Sequence, residues 1–131
     1  MAGHPPPNAE EPVEVVGTGR PTRAAPRFSI VHESDVPWQE VRAQQHGDRR
    51  VSVHEKFLEW STDRMVVLGH YDPGMVVERH GHRRDHLVYV LEGAIDIGGR
   101  HCPAGTLVVL EEGAAFGPLI ADADEGCTMF E

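Results

Sequence analysis

The chain has 131 residues, a formal net charge of −9 at pH 7 and a sequence pI near 5.4. That length holds one compact domain and not two, and the carboxylate surplus argues against a general nucleic-acid or anionic-membrane binder, because such a surface repels both. No stretch approaches the roughly 20 consecutive apolar residues a membrane helix needs, and prolines stand where a signal peptide has its apolar run. The expected partner is a small molecule and the expected compartment the cytoplasm.

Residues 1 to 27 contain six prolines and no periodic apolar pattern, which predicts a disordered or extended arm. A single domain is expected from Phe28 to Glu131. The stretch SDVPWQEV reads as a turn followed by a brief strand or a helical turn anchored by Trp38. In RRVSVHEKFLEW the alternation through Val51, Val53 and Phe57 predicts a strand or a pair of short ones. DRMVVLGHY, residues 63 to 71, predicts a strong strand, and Asp72-Pro73-Gly74 supplies the turn after it.

Further on, Glu92-Gly93 is expected to turn the chain from HLVYVL into AIDIGGRH, and Gly98-Gly99 to make a hairpin. Pro103-Ala104-Gly105 introduces TLVVL, Glu112-Gly113 ends it, and a last short strand is expected around Thr128 to Phe130. Many short strands separated by turn residues, with no long helix, predict an all-β barrel. Cys102 and Cys127, in a chain without an export signal, are expected to be buried free thiols.

Residues 74 to 93, GMVVERHGHRRDHLVYVLEG, carry the chemistry. On a strand, alternate side chains share a face, so His80 and His82 stand together, roughly 6.6 Å apart along the strand. After a turn of Arg83, Arg84 and Asp85, the next strand places His86, Val88 and Val90 on one face, and His86 can become a third ligand. Three neutral imidazoles leave a divalent ion at its full 2+ charge, which favours anionic ligands. Imidazole suits iron, zinc, copper and nickel alike. Glu78 has the parity of His80 and His82 and is the candidate proton acceptor, hydrogen-bond partner of a ligating imidazole or substitute ligand. Arg79, Arg83 and Arg84 can steer an anionic substrate, and Tyr71 is a candidate cavity hydroxyl. Tyr89, of opposite parity to His86, is expected outside the barrel. His70 precedes the motif on a strand, with its facing left open by the turn.

This segment resembles the first motif of the cupins, G-x5-H-x-H-x3-4-E-x6-G, with Gly74, His80, His82, His86 and Gly93 in the matching places and histidine standing where the family usually carries glutamate. The second motif, G-x5-P-x-G-x2-H-x3-N, is met only by Gly105 and Gly113, with Glu111, Phe116 and Ile120 at its proline, histidine and last positions. The resemblance covers about residues 60 to 131. It implies a double-stranded β-helix (jelly-roll) barrel with a divalent metal near its wider mouth. Phe116 in place of the fourth ligand leaves open coordination positions, which mark catalytic sites, and joins Val88 and Val90 as an apolar wall.

Cupins include dioxygenases, isomerases, lyases, cyclases and non-catalytic sensors. The first expectation is a non-haem Fe(II) dioxygenase acting on a small enolate- or carboxylate-bearing molecule. The alternatives are a zinc or nickel cyclase, isomerase or lyase with Glu78 as base, and a binding or sensor module. Leading strands in this family often add to a sheet edge, and exchange of such a strand between subunits would make a homodimer.

Overall fold

A computed structural model describes residues 27 to 131; apart from Arg27, the expected arm lies outside them. Val31–Glu131 forms one compact unit. Among the described residues it contains a 3-10 turn, Glu33–Asp35, and eleven strands. These are β1 (Gln39–His46), β2 (Arg49–Trp60), β3 (Met65–Tyr71), β4 (Val76–Val77), β5 (His80–Gly81), β6 (His86–Ile97), β7 (Arg100–Pro103), β8 (Leu107–Leu110), β9 (Ala115–Phe116), β10 (Leu119–Ala121) and β11 (Cys127–Phe130). The fold is an all-β barrel, its main sheet ordered β1-β2-β3-β11-β6-β10-β4, with β7 and β8 also on β6 and a separate β5-β9 pair.

Alternation decides what faces inward. In β2, Val51 and Val53 are buried, as are Val67 and Tyr71 in β3, Val88 and Val90 in β6, and Cys127 and Met129 in β11. These residues sit at i, i+2 spacing or, between Val67 and Tyr71, i+4, so each strand turns one face to a shared interior. Cys102 and Cys127 are free and buried; burial pushes the Cys127 thiol up to about 12 and Cys102 in the same direction.

Two elements differ from expectation. The segment after Trp38 is a full eight-residue strand, β1, paired along its length with β2. Its exposed Gln, Arg and Ala residues give little apolar signal, and the pairing with β2 supplies what the pattern lacks. In the first of the two forms its alternation predicts, β2 is one strand, of 12 residues, with a bulge between Phe57 and Glu59.

The second difference positions the site. Glu92-Gly93 does not turn the chain: β6 runs unbroken through it for 12 residues. Its first part pairs with β8 and β11 and its last part with β7 and β10, so one strand serves both walls of the barrel. Gly93 is where it bends, with φ at 69° and a backbone approach so close that an added Cβ would lie 2.1 Å from the Gly126 carbonyl oxygen. Only glycine tolerates both. The Gly98-Gly99 hairpin stands as expected between β6 and β7.

Candidate metal centre and cavity

The structure brings the three motif histidines together at one wall of a cavity of about 680 Å³. His80 lies on β5, where the β9 pairing sets it opposite Phe116. His82 follows in a bend pinned by its carbonyl, which accepts a hydrogen bond from Gly113 N at 2.9 Å. His86 opens β6 opposite Leu110 of β8. The His80 and His82 ring centroids are 5.1 Å apart and those of His82 and His86 4.8 Å, both pairs close to perpendicular. Phe116 is buried under the group, its ring 4.5 Å from His80, 5.7 Å from His82 and 6.1 Å from His86.

Hydrogen bonding assigns the ring nitrogens. His80 Nδ1 is 2.8 Å from the Glu78 carbonyl oxygen; a carbonyl only accepts, so Nδ1 carries the proton and Nε2 keeps a lone pair. His86 Nε2 is 3.0 Å from Glu131 Oε2, while among the described residues His86 Nδ1 is buried without a hydrogen-bond partner. Desolvation, then the like charges that His86 and His80 would carry, push the His82 pKa down, with Glu131 opposing. His82 therefore stays neutral, the state in which an imidazole binds a cation.

Three neighbouring imidazoles, one depressed in pKa, one with an orphaned buried nitrogen, and a carboxylate beside them are suitable donors in kind for a divalent ion. Among the described residues no three His, Cys, Asp or Glu side chains stand as a ready-made cage; the rings pack edge to face.

Of the other expected site residues, Tyr71, Val88 and Phe116 line the cavity. Val90 is fully buried in the core cluster and outside the cavity lining. Glu78 and Arg79 are exposed and also outside the lining. The reason is local: the strand is interrupted between Val77 and His80, so the parity linking Glu78 to the histidines does not carry through. What Glu78 gives the site is its carbonyl.

Arg84 does line the cavity, and its guanidinium donates to the carbonyls of Thr62 and Asp63, tying the β2–β3 turn to the cavity rim. Asp85 finishes its turn by accepting from Glu112 N at 3.0 Å. Tyr89 is exposed, as its parity requires. His70 lies outside the lining and pairs with Thr128 Oγ1 at 2.9 Å.

Two glutamates on the cavity wall stand outside the motif. Glu55 of β2 is opposite Gly69 of β3, and Glu131 follows β11, its backbone locked to Val67 by two hydrogen bonds of 2.8 Å. Glu131 Oε1 lies 3.4 Å from where a Cβ on Gly69 would sit, so the missing side chain at Gly69 makes its berth. Burial, then the charge of Glu131, raises the Glu55 pKa. The same two causes, with Glu55 added, raise that of Tyr71, against which Arg42 works. The signal for both glutamates is strand parity: Glu55 shares the face of Val51 and Val53, and Glu131 that of Cys127 and Met129. A carboxylate ending a buried apolar row is itself informative.

Residues 27–131 match the family described as the ChrR cupin-like domain. Among solved structures, the chain is similar to KdgF from Halomonas sp. at 24% identity, covering 79% of this chain and 91% of that one with a TM-score of 0.63. It is similar to the polyketide cyclase RemF from Streptomyces resistomycificus at 20% identity, covering 79% and 77% with a TM-score of 0.62. A putative acetylacetone dioxygenase from Methylibium petroleiphilum PM1 matches at 13% identity, covering 82% and 77% with a TM-score of 0.65. No curated protein matches the chain. At these identities the likenesses speak for the fold.

Proposed function

This chain belongs to the cupin superfamily as a ChrR cupin-like domain, and from that premise we propose that it binds a divalent metal ion through His80, His82 and His86 and performs proton-transfer chemistry on a small oxygenated molecule held in its cavity. The observation that carries the reading is the placement of the partly buried carboxylates Glu55 and Glu131 on the wall of the cavity that also contains the three imidazoles. When bound, the ion supplies Lewis-acid polarisation of a carbonyl or hydroxyl oxygen.

The chain's own residues do the rest. Glu55, with its pKa raised by burial and by Glu131, is suited to accept a proton from carbon or oxygen and return it, because a base works best with a pKa drawn toward the working pH. Tyr71, a phenol whose pKa burial moves further above the physiological range, donates a hydrogen bond to a substrate oxygen. Val88, Phe116 and Leu119 give the dry apolar wall that strengthens these contacts. A proton acceptor on the cavity wall is what a cyclase, isomerase or lyase requires for its chemical step, and this reading is therefore placed ahead of the Fe(II) dioxygenase, in which a carboxylate would serve only to ionise the substrate. The arrangement also moves the candidate base from Glu78 to Glu55.

The deciding experiment is elemental analysis of untagged protein, paired with two assays on a panel of enolisable ketones and hydroxy-ketones: solvent deuterium incorporation and oxygen uptake. Stoichiometric zinc or nickel with deuterium incorporation and no oxygen uptake is expected. Bound iron with substrate-dependent oxygen uptake would return the assignment to oxygenation. His82→Ala is expected to lose stoichiometric metal while keeping its β-sheet circular dichroism; full metal occupancy in this variant would refute the ligand assignment.

A further inference from the structure

We propose that Glu131 is the positioning carboxylate of the metal centre, orienting His86 and fixing its tautomer so that Nδ1, not Nε2, is the nitrogen offered to an ion. The inference rests on the metal-binding reading above and adds a residue lying outside both sequence motifs. The contact is between Glu131 Oε2 and His86 Nε2, 3.0 Å apart across 45 residues of chain, both side chains largely buried. A carboxylate at this distance accepts the ring N–H, so in the neutral ring the proton resides on Nε2 and the lone pair on Nδ1. That Nδ1 is buried and, among the described residues, has no hydrogen-bond partner. A buried unpartnered nitrogen is costly, and a cation is the partner a lone pair beside two more imidazoles fits.

His80 shows the opposite assignment: its Nδ1 donates to the Glu78 carbonyl and its Nε2 keeps the lone pair. The two ends of the cluster are thus held in different tautomers by different partners, one by local backbone and one by a side chain from the far end of the sequence. Glu131 is also placed with little freedom. Paired backbone hydrogen bonds to Val67 fix its Cα, and Gly69 leaves the space its carboxylate fills. The first motif has histidine where the family carries glutamate, and this geometry brings a carboxylate back to the same cluster from the last strand.

The test combines ring-nitrogen NMR on metal-free, 15N-histidine-labelled protein at neutral to mildly alkaline pH with zinc titration against a chromophoric chelator. In the wild type, His86 is expected in the Nε2–H form. Glu131→Ala is expected to mix its tautomers and weaken zinc binding about 10- to 100-fold, the usual cost of losing such a partner. Glu131→Gln keeps an acceptor oxygen and is expected to retain the tautomer, binding zinc within about threefold of wild type, consistent with a lost orienting hydrogen bond being the source of the defect.

Unchanged zinc affinity and an unchanged tautomer in Glu131→Ala would overturn the proposal. So would a Glu131→Gln defect as deep as that of alanine, which would make the carboxylate a direct donor instead. If wild-type protein takes up no zinc, or His82→Ala takes it up equally well, the metal reading fails. The tautomer comparison then still decides whether Glu131 sets His86. Matching thermal unfolding of the three proteins separates these results from loss of fold.

Discussion

Glu40 and Glu55 lie on the two strands of one hairpin, one register position apart, since Gln39 pairs with Glu55 and Glu40 with His54. They face opposite sides and behave in opposite ways. On the outer face, Glu40 meets Arg50 Nε at 3.1 Å, a second guanidinium nitrogen of Arg50, and Ser52 Oγ at 2.8 Å; the Arg50 bonds, then that of Ser52, hold its pKa down to about 2. On the inner face, Glu55 has the cavity in front of it and Glu131 for a neighbour, and its pKa rises. Identical side chains a few ångströms apart thus serve different ends. One is satisfied by fixed donors and is part of the scaffold; the other faces the cavity with a raised pKa and is the proposed base.

The strongest way to break this contrast is to remove the inner carboxylate. Glu55→Gln is expected to reduce proton-transfer turnover by about 10²- to 10⁴-fold, the range that a positioned acid or base contributes, with zinc stoichiometry unchanged. Unfolding should occur no earlier than in wild type, because the substitution removes a charge disfavoured by burial and by Glu131. The same substitution at the outer position, Glu40→Gln, is expected to leave turnover within about twofold, as it touches none of the cavity groups. A steady-state comparison of the two variants on one enolisable substrate checks both statements. A Glu55→Gln enzyme as fast as Glu40→Gln would end the assignment of Glu55 as the base.

How much of this was legible in the sequence depends on the distance over which each feature is determined. His80, His82 and His86 lie within one strand-turn-strand unit, so their convergence follows from period-two alternation and a short turn, and Phe116 follows from the register of the second motif. Glu78 misleads for an equally local reason: the alternation assumes an unbroken strand, and the chain breaks between Val77 and His80. Gly93 misleads because Glu-Gly is turn chemistry by composition, whereas the fold uses the glycine for a bend and for the near contact with Gly126. Glu55 and Glu131 are visible as carboxylates on apolar strand faces. That they meet over Gly69 depends on the pairing of β2 with β3 and of β3 with β11, which no local pattern specifies.

The contrast can be sharpened by pH, since the two shifts contribute with opposite signs. Glu40 has a folded pKa near 2 against an ordinary 4.5, so the unfolded chain binds the extra proton first. Its contribution is fully present above about 4.5 and is lost as the pH falls toward 2. Glu55 has a raised pKa, so the folded state binds the extra proton; stability is favoured at and below 4.5 and declines as the pH rises from there through its folded value. Urea midpoints measured from pH 2 to 7 are expected to fall more shallowly on the acid side in Glu40→Gln and to lose part of the decline above 4.5 in Glu55→Gln. Equal pH profiles for the two variants would mean that the faces of the hairpin do not differ as described.

The smallest effect is expected from Ser52→Ala, which removes one of the hydrogen bonds holding Glu40 in its ionised form and leaves Arg50, the larger cause, in place. The Glu40 carboxyl resonance should then titrate above its wild-type midpoint but below the ordinary 4.5, with turnover unchanged. Ser52 N also donates to Asp72 Oδ2 at 2.8 Å, and that backbone contact survives the substitution. A small upward shift of the Glu40 midpoint would therefore isolate the hydroxyl's share of the outer network. If instead the midpoint returned fully to 4.5, Arg50 would have to be acting through a geometry that Ser52 imposes, and the serine would be the organiser of the outer face.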